Sequence, residues 1–535
     1  MAKFFNRAVL ILVACILVFC LYAFLLHKPK PSGDGFHCDT IHIGVLHITT
    51  GIPLFEFLKV LLHYRNSPIH FHFSVNATSE RMVRTLFETW GVPQVNISTY
   101  HTGSKPAISV RERVELFRRP TLLRHTSRLI IMDTDLRLTG DVDQLWNMFQ
   151  ETLVVGVVKD NQTQANVILA DLEKLSTNTS IDEPPQLYWN YMRKVADLGT
   201  TRDIGHGVPP RFLSRCQGFG YTTKITEVLH CAKFPESKSK TYKRTTLLMI
   251  RHFEYAPGSS DVTLVTHLSY DKLPVFEDMC RRWRGPVSVA LYIAEENFSK
   301  ALDFIKRSSV LHRRHNIAYH AVITRGRFYP ANLLRNVALR NVVTSHVFPL
   351  DVDFMPNLRL HELLVPDLLK LATRRKALVV PAFAVKGFDA TIPLILFELK
   401  VFWEEQLVTP FQPKEFAAGH QPTDYDRLRS DTEPYTVKWK RQYEPYIIVQ
   451  SNVTEYDERF FGYGHDRISH ILELNAQGYE FVVLPSTFVV HRNHSGTFDS
   501  NTFLNPDYQA CVKSIVAQHI AAVNVAYGTR YEFVF

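Results

Sequence analysis

Apolar residues in this 535-residue chain fall into short runs broken by turn residues, with stretches of helical spacing between them. Runs of about four to eight apolar or alternating residues predict strands, and apolar positions three and four apart predict helices. Thr40–Leu46 and Ile69–Val75 read as strands, and between them Leu54, Phe55, Leu58, Leu61 and Leu62 share one helix face over 54–64. Ser79 is placed to cap a helix carrying Met82, Leu86 and Phe87. Further strands are expected at Gln94–Ser98, Leu129–Asp135, Val154–Lys159, Val167–Leu169 and Val228–Lys233, with a helix over Gly140–Trp146 and little pattern from 176 to 221. Polar Pro235–Lys243, and Pro257–Ser260 after a brief strand, mark a boundary. Beyond it the grammar restarts: strands Asp261–Leu268, Pro286–Ile293 and Ile317–Ile323 alternate with helices Leu273–Arg282, Phe298–Lys306 and Tyr329–Ala338. Alternation at these lengths argues for βαβ units and a mostly parallel sheet. Each half runs through the same series, so the chain reads as two copies of one α/β nucleotide-binding fold.

Each series finishes on Asp-x-Asp. In the second half, His346–Pro356 reads as a buried strand ending in Asp351 and Asp353, and in the first half Leu129–Asp135 ends in Asp133 and Asp135. Strand residues two apart point to one side, so each pair of carboxylates repels unless a cation sits between them. A hard divalent ion such as Mg²⁺ or Mn²⁺ fits that need and would in turn bind phosphate. Ligands of parallel α/β sheets lie just beyond the carboxyl ends of the strands. His491 closes the apolar run Phe481–Val490, and His230 occupies the equivalent place after the first motif. Neutral imidazole completes a carboxylate set around such an ion.

Composition adds location. Hydrophobic content of 46% with 12% aromatics suffices for packed cores. Ala8–Leu26 is an uninterrupted apolar run, about 28 Å long as a helix and enough for one bilayer core. Leu25-Leu26-His27-Lys28-Pro29-Lys30 follows it without a small-x-small cleavage pattern, so it reads as a signal anchor. Sequons begin at Asn76, Asn96, Asn161, Asn178, Asn297, Asn452 and Asn493, all on one side of that run, which favours a lumenal body and a single-pass type II arrangement. The net charge of +9 is scattered, with short clusters such as Arg281–Arg284, and the sequons oppose a nucleic-acid partner. Cys38, Cys216, Cys231, Cys280 and Cys511 lie beyond the anchor without a Cys-x-x-Cys zinc pattern, and their pairing is left open. The expected plan is a cytosolic N-terminus at 1–7, the anchor at 8–26, a stem at 27–38, and two domains at 39–245 and 259–535.

The chain resembles the LARGE family of bifunctional, Golgi-resident xylosyl- and glucuronyltransferases. The resemblance is carried by Asp261–Val265, Arg314–His320, Phe328–Ala338, Val380–Phe383, Gly419–Thr423, Tyr443–Tyr446 and Tyr479–Pro485, and in the first half by Pro68–Phe73, Thr85–Trp90 and Asp133–Asp135. It implies two tandem GT-A-type domains, each using a UDP-sugar and Mn²⁺. The first would add xylose from UDP-xylose with retention, the second glucuronate from UDP-glucuronate with inversion. Together they would extend a glycoprotein acceptor glycan of the dystroglycan O-mannosyl type. Carried over, Asp133, Asp135 and His230 would hold the first metal, and Asp351, Asp353 and His491 the second. Asn332, Arg335 and Asn336, on the helix before the acidic strand, are candidates for the donor. An inverting transfer needs a base. Asp466, in the Gly-flexed turn Phe460–Arg467, resembles the base position of inverting galactosyl-type transferases, and Glu444 is the alternate. The family pattern has Trp-Asn where this chain has His465-Asp466.

The first half departs further. Gln164-Ala165-Asn166 stands where the family has Asn-Thr-Gly, Glu115 where it has Lys, and Cys231 where it has Trp. These departures predict a weakened or specialised first domain beside an active second one. Two other readings stay open: a single-activity glucuronyltransferase with an inert first domain, and a non-catalytic Golgi glycan-binding scaffold. Assembly into a homo-oligomer is also left open.

Overall fold

The computed structural model describes residues 40–532, apart from 195–230, 494–504, shorter stretches between 47 and 191, and 240, 259, 372–374 and 388–389. Among the described residues no helix is long and apolar enough to cross a membrane, and the predicted anchor at 8–26 lies outside them.

The first half runs β1 (Ile41–Leu46), α1 (Gly51–His63), β2 (Ile69–Val75), α2 (Ala77–Trp90), β3 (Val95–His101), α3 (Val110–Glu115), β4 (Arg128–Asp133), β5 (Leu136–Leu138), α4 (Val142–Trp146), β6 (Val155–Lys159), β7 (Asn166–Asp171), β8 (Gln186–Tyr188) and β9 (Met192–Lys194). Its main sheet has the order β3-β2-β1-β4-β7-β6-β8. β1, β2, β3 and β4 are mutually parallel, and β7 joins β4 antiparallel. β1 is buried along its whole length, as expected of a central parallel strand covered on both faces.

The second half opens with β10 (Thr246–Leu247) and β11 (Val262–Ser269), then α5 (Leu273–Arg282), β12 (Val287–Ile293), α6 (Phe298–Arg307), β13 (Ile317–Ile323), α7 (Ala331–Leu339), β14 (His346–Pro349), β15 (Phe354–Pro356) and α8 (Leu360–Leu371). It continues with β16 (Lys376–Val380), β17 (Ala382–Val385), α9 (Leu396–Glu404), β18 (Val408–Pro410), α10 (Ala417–His420), α11 (Tyr425–Ser430), β19 (Tyr435–Val437), β20 (Tyr446–Gln450), α12 (Asp466–Ala476), β21 (Glu480–Val483), β22 (Val489–His491) and α13 (Pro506–Tyr527). Nine strands form the order β10-β13-β12-β11-β14-β20-β16-β21-β19, and β15-β22-β17-β18 form a smaller sheet. β11 to β14 are parallel and β20 joins β14 antiparallel. The core of both sheets is therefore the same: third, second, first and fourth strand, then an antiparallel neighbour.

Three expectations are corrected. The acidic strand is not continuous from His346 to Pro356. It stops at Pro349, Leu350–Asp353 forms a turn closed by the Phe354 amide donating to the Asp351 carbonyl at 3.0 Å, and β15 leaves for the smaller sheet. The cap of α2 is Asn76, whose Oδ1 accepts from the Ser79 amide at 2.9 Å, while Ser79 is the reciprocal partner of a capping box. Residues 231–233 of the expected strand at 228–233 form a turn. The brief strand expected ahead of Pro257 is β10, which adds an edge to the second sheet, and residues 246–250 reach back to the first half: the Thr246 amide donates to Thr89 Oγ1 at 3.0 Å, and the Gly51 amide to the Met249 carbonyl at 3.0 Å. A Cβ at Gly51 would stand 2.3 Å from the Leu248 carbonyl oxygen, so only glycine permits this approach. One apolar core runs through both sheets.

A cluster of charged side chains beyond the second sheet

The end of β14 faces α7, β20 and the start of α12, and five charged side chains from these elements and their flanks, Asp351, Arg335, Asp466, Arg467 and Glu444, meet there. Asp351 is the centre. Its Oδ1 accepts from Arg335 at 3.0 Å and lies 3.5 Å from His267 Nε2; its Oδ2 accepts from the Tyr446 hydroxyl at 2.9 Å and lies 3.3 Å from Arg467. Burial works against the Asp351 charge, but Arg467 and Arg335 outweigh it and hold the carboxyl well below the usual carboxylate range. Arg335 also donates to Asp466 Oδ2 at 2.6 Å and to Asn332 Oδ1 at 2.9 Å. Arg467 lies over the Tyr446 ring at 4.2 Å and 3.7 Å from Glu444 Oε1. Glu444 is the odd member. Burial pushes its carboxyl up to about 7, Arg467 opposes this, and Asp466 and Asp351 add to it.

Asp353 and His491 form a second pair. β15 and β22 align Phe354 opposite His491, which brings His491 Nε2 to 3.4 Å from Asp353 Oδ2. The His491 ring is set between Phe354 and Phe411, with centroids 5.0 Å from each. A carboxylate facing an imidazole is a donor set that fits a hard-to-borderline divalent cation such as Mn²⁺. The expected third donor, Asp351, is held instead by Arg335, Arg467 and Tyr446, and is not gathered with Asp353 and His491 into one close ligand set.

Asn332 and Asn336 are buried at 0% and 1% exposure, and their amides are engaged by backbone. Asn332 Nδ2 donates to the Asp457 and Asp466 carbonyls, both at 3.0 Å. Asn336 donates to the Tyr456 carbonyl at 2.8 Å and accepts from its amide at 2.9 Å. These two asparagines fasten the 456–466 segment to α7, and Arg335 is the side chain of the three that reaches the acidic turn. Asp466 opens α12, with His465 at the cap in the left-handed region at φ 59° and no side-chain cap.

In the first half, Asp133 ends β4 and pairs with Arg113 of α3 at 2.7 Å. Glu115 points elsewhere, lying 3.6 Å from Arg118. Asp135 and His230 lie outside the described residues. Next to His230, Cys231 is disulfide-bonded to Cys511 of α13, across 280 residues. That segment packs with Phe328, Phe461 and Tyr508 of the second half.

Sequence reasoning missed Arg467, Tyr446 and His267. Arg467 directly follows Asp466, and Tyr446 closes Tyr443–Tyr446, so both stood inside singled-out blocks. What the string lacks is the crossing of β20 next to β14.

A repeated parallel sheet with acidic residues at the ends of the fourth strands defines an α/β protein that binds its ligand beyond the strand ends. Comparisons with known proteins agree with this class. A family model described as "Glycosyl-transferase for dystroglycan" matches residues 261–326 and 313–503. The xylosyl- and glucuronyltransferase LARGE1 of Homo sapiens is 29% identical over 92% of this chain and 81% of its own length. LARGE2 of Mus musculus is 29% identical over 92% of this chain and 88% of its own. Among solved structures, GalNAc-T7 with UDP, GalNAc and Mn²⁺ covers 48% of each chain at 12% identity and a TM-score of 0.33, too loose a match to bear on function. The chain is therefore similar to the LARGE xylosyl- and glucuronyltransferases along most of its length, and its second half matches the dystroglycan glycosyl-transferase family model.

Proposed function

We propose that this chain is a Golgi-lumenal, membrane-anchored glycosyltransferase with two tandem GT-A-type domains. The C-terminal domain transfers glucuronate from UDP-glucuronate, and the N-terminal domain transfers xylose from UDP-xylose. The product is an extended protein-linked glycan, such as the xylose–glucuronate polymer of dystroglycan-type O-mannosyl glycans. The observation that carries the reading is the pairing, in one site, of an Asp353–His491 donor set with the Arg335–Asp351–Arg467–Glu444 cluster. The named relatives at 29% identity supply the substrates.

In the second domain, Asp353 and His491 would hold Mn²⁺, while Asp351 stays with its arginine partners. A divalent ion bound there supplies Lewis-acid neutralisation of the UDP diphosphate. The acceptor hydroxyl oxygen attacks the anomeric carbon as the bond to UDP breaks, and UDP leaves with the bonding electron pair. The hydroxyl proton goes to a carboxylate. Glu444 is the better base of the two candidates, because its value of about 7 leaves it ionised yet proton-accepting near neutrality, whereas Asp466 is bound end-on by Arg335. Arg335 and Arg467 place fixed positive charge where the diphosphate charge develops. In the first domain, Arg113 beside Asp133 gives the same pairing of cation and carboxylate.

The test is a donor screen. Purified protein with Mn²⁺ and an O-mannosyl-type acceptor should release UDP from UDP-glucuronate and from UDP-xylose, with product linkages fixing the order of addition. Release from neither donor with any acceptor would favour a glycan-binding scaffold.

A further inference from the structure

Three histidines in the first half form a cluster the transfer reaction does not use. His70 and His72 are two apart on β2, so they share one face of the sheet, and His42 of β1 is in register with His70 on that face. Their ring centroids lie 5.3 Å (His42–His70), 5.2 Å (His42–His72) and 4.3 Å (His70–His72) apart. Each offers a ligand nitrogen within 4.8 Å of the other two, and no other His, Cys, Asp or Glu set among the described residues is gathered this closely. His42 Nδ1 and His72 Nε2 face one another at 2.9 Å, so at least one of the two nitrogens is bare. β3 contributes hydroxyls to the outer nitrogens: Ser98 Oγ is 2.9 Å from His70 Nε2, and the Tyr100 hydroxyl 3.0 Å from His72 Nδ1.

We propose that His42, His70 and His72 form a zinc site that ties β1 to β2. Three neutral imidazoles are a tetrahedral Zn²⁺ donor set, with one position left for water. Nitrogen donors without carboxylate select Zn²⁺ over Mn²⁺. The Ser98 and Tyr100 hydroxyls orient the rings as outer partners of metal-bound histidines do. His42 at 7% and His72 at 0% exposure are buried, and the His42 ring lies 6.3 Å from Trp146. The site stands apart from transfer, because it lies at the amino-terminal end of β1. Asp133 aligns with Leu46 at the other end, about 13 Å away along the strand.

The experiment uses the full chain in detergent, stripped with chelator and titrated with Zn²⁺ alone by calorimetry and with Co²⁺ alone by visible absorption. The expected result is one tight Zn²⁺ equivalent that excess Mn²⁺ does not displace, a tetrahedral Co²⁺ spectrum, and a raised Tm on adding Zn²⁺. His70→Gln should abolish this equivalent. Tyr100→Phe, which keeps all three ligands, should weaken it about 10–100-fold. Asp353→Asn should leave it intact. Absence of a Zn²⁺ equivalent in the unaltered chain, an octahedral Co²⁺ spectrum, or unchanged binding in a folded His70→Gln variant would overturn the proposal. If His70→Gln does not fold, the Co²⁺ spectrum of the unaltered chain and the Tyr100→Phe titration decide.

Discussion

Glu444 and Asp466 are carboxylates near the same two arginines, and they differ in how each is held. Arg335 contacts Asp466 at 2.6 Å, while Arg467 stays 3.7 Å from Glu444 and burial raises the Glu444 carboxyl to about 7. Base catalysis needs the ionised form, so the glucuronate-transfer rate should climb as pH rises through about 7. Glu444→Gln should remove that limb and lower kcat by about 10²–10⁴-fold. Asp466→Asn should cost less; the reverse ranking, read from pH–rate profiles of the two variants, would make Asp466 the base. The stability sign is opposite to the activity sign. A folded-state value above the ordinary 4.5 means that Glu444 supports folding fully below about 4.5 and loses that support as pH rises through about 7. Arg335 belongs to the same balance. Replaced by Leu, it would leave Asp351 and Asp466 without their shared partner, at a cost of about 3–5 kcal/mol. Urea unfolding should show it, and an unchanged midpoint would mean that the two carboxylates find other compensation.

At the scale of elements, the site depends on α7 holding the 456–466 segment. Asn336 grips both backbone groups of Tyr456, and Asn332 holds the Asp457 and Asp466 carbonyls. Asn336→Ala should cost about 1–3 kcal/mol by leaving these buried groups unmet. It should also raise proteolysis within 456–466, and a variant as protease-resistant as the parent would contradict this. Such elements were legible where pattern alone decides them: Ile69–Val75, Ile317–Ile323 and Leu273–Arg282 begin and end where their apolar periods do. They were misread where two apolar runs abut. Phe348 and Phe354 are both buried, yet a turn separates them into different sheets, and hydropathy carries no mark of that turn. The site was half legible for the same reason. Asp351 and His491 stand at the ends of their runs, whereas the approach of Arg467 and Tyr446 to Asp351 depends on which strand lies beside β14.

At the scale of the molecule, the two halves repeat one strand order and share one apolar core, with residues 246–250 between them. The Cys231–Cys511 bridge further ties the chain beside His230 to the second half. The repeat was visible in the sequence because each half restarts the same periods; the sharing was not, because the apolar period of a brief strand does not say which sheet it joins. If the first half has its own site, Asp133→Asn/Asp135→Asn should abolish xylose transfer and leave glucuronate transfer in place. Xylose transfer that persists would assign both activities to the second half or show that the first is inert. The central claim is that Asp353 and His491 anchor glucuronate transfer, and its most direct measurement is Mn²⁺-dependent transfer from UDP-glucuronate by Asp353→Asn beside the unaltered chain. The expected result is a loss of about 10²–10³-fold in the variant, with transfer from UDP-xylose unchanged. Equal glucuronate transfer by the two proteins would contradict it.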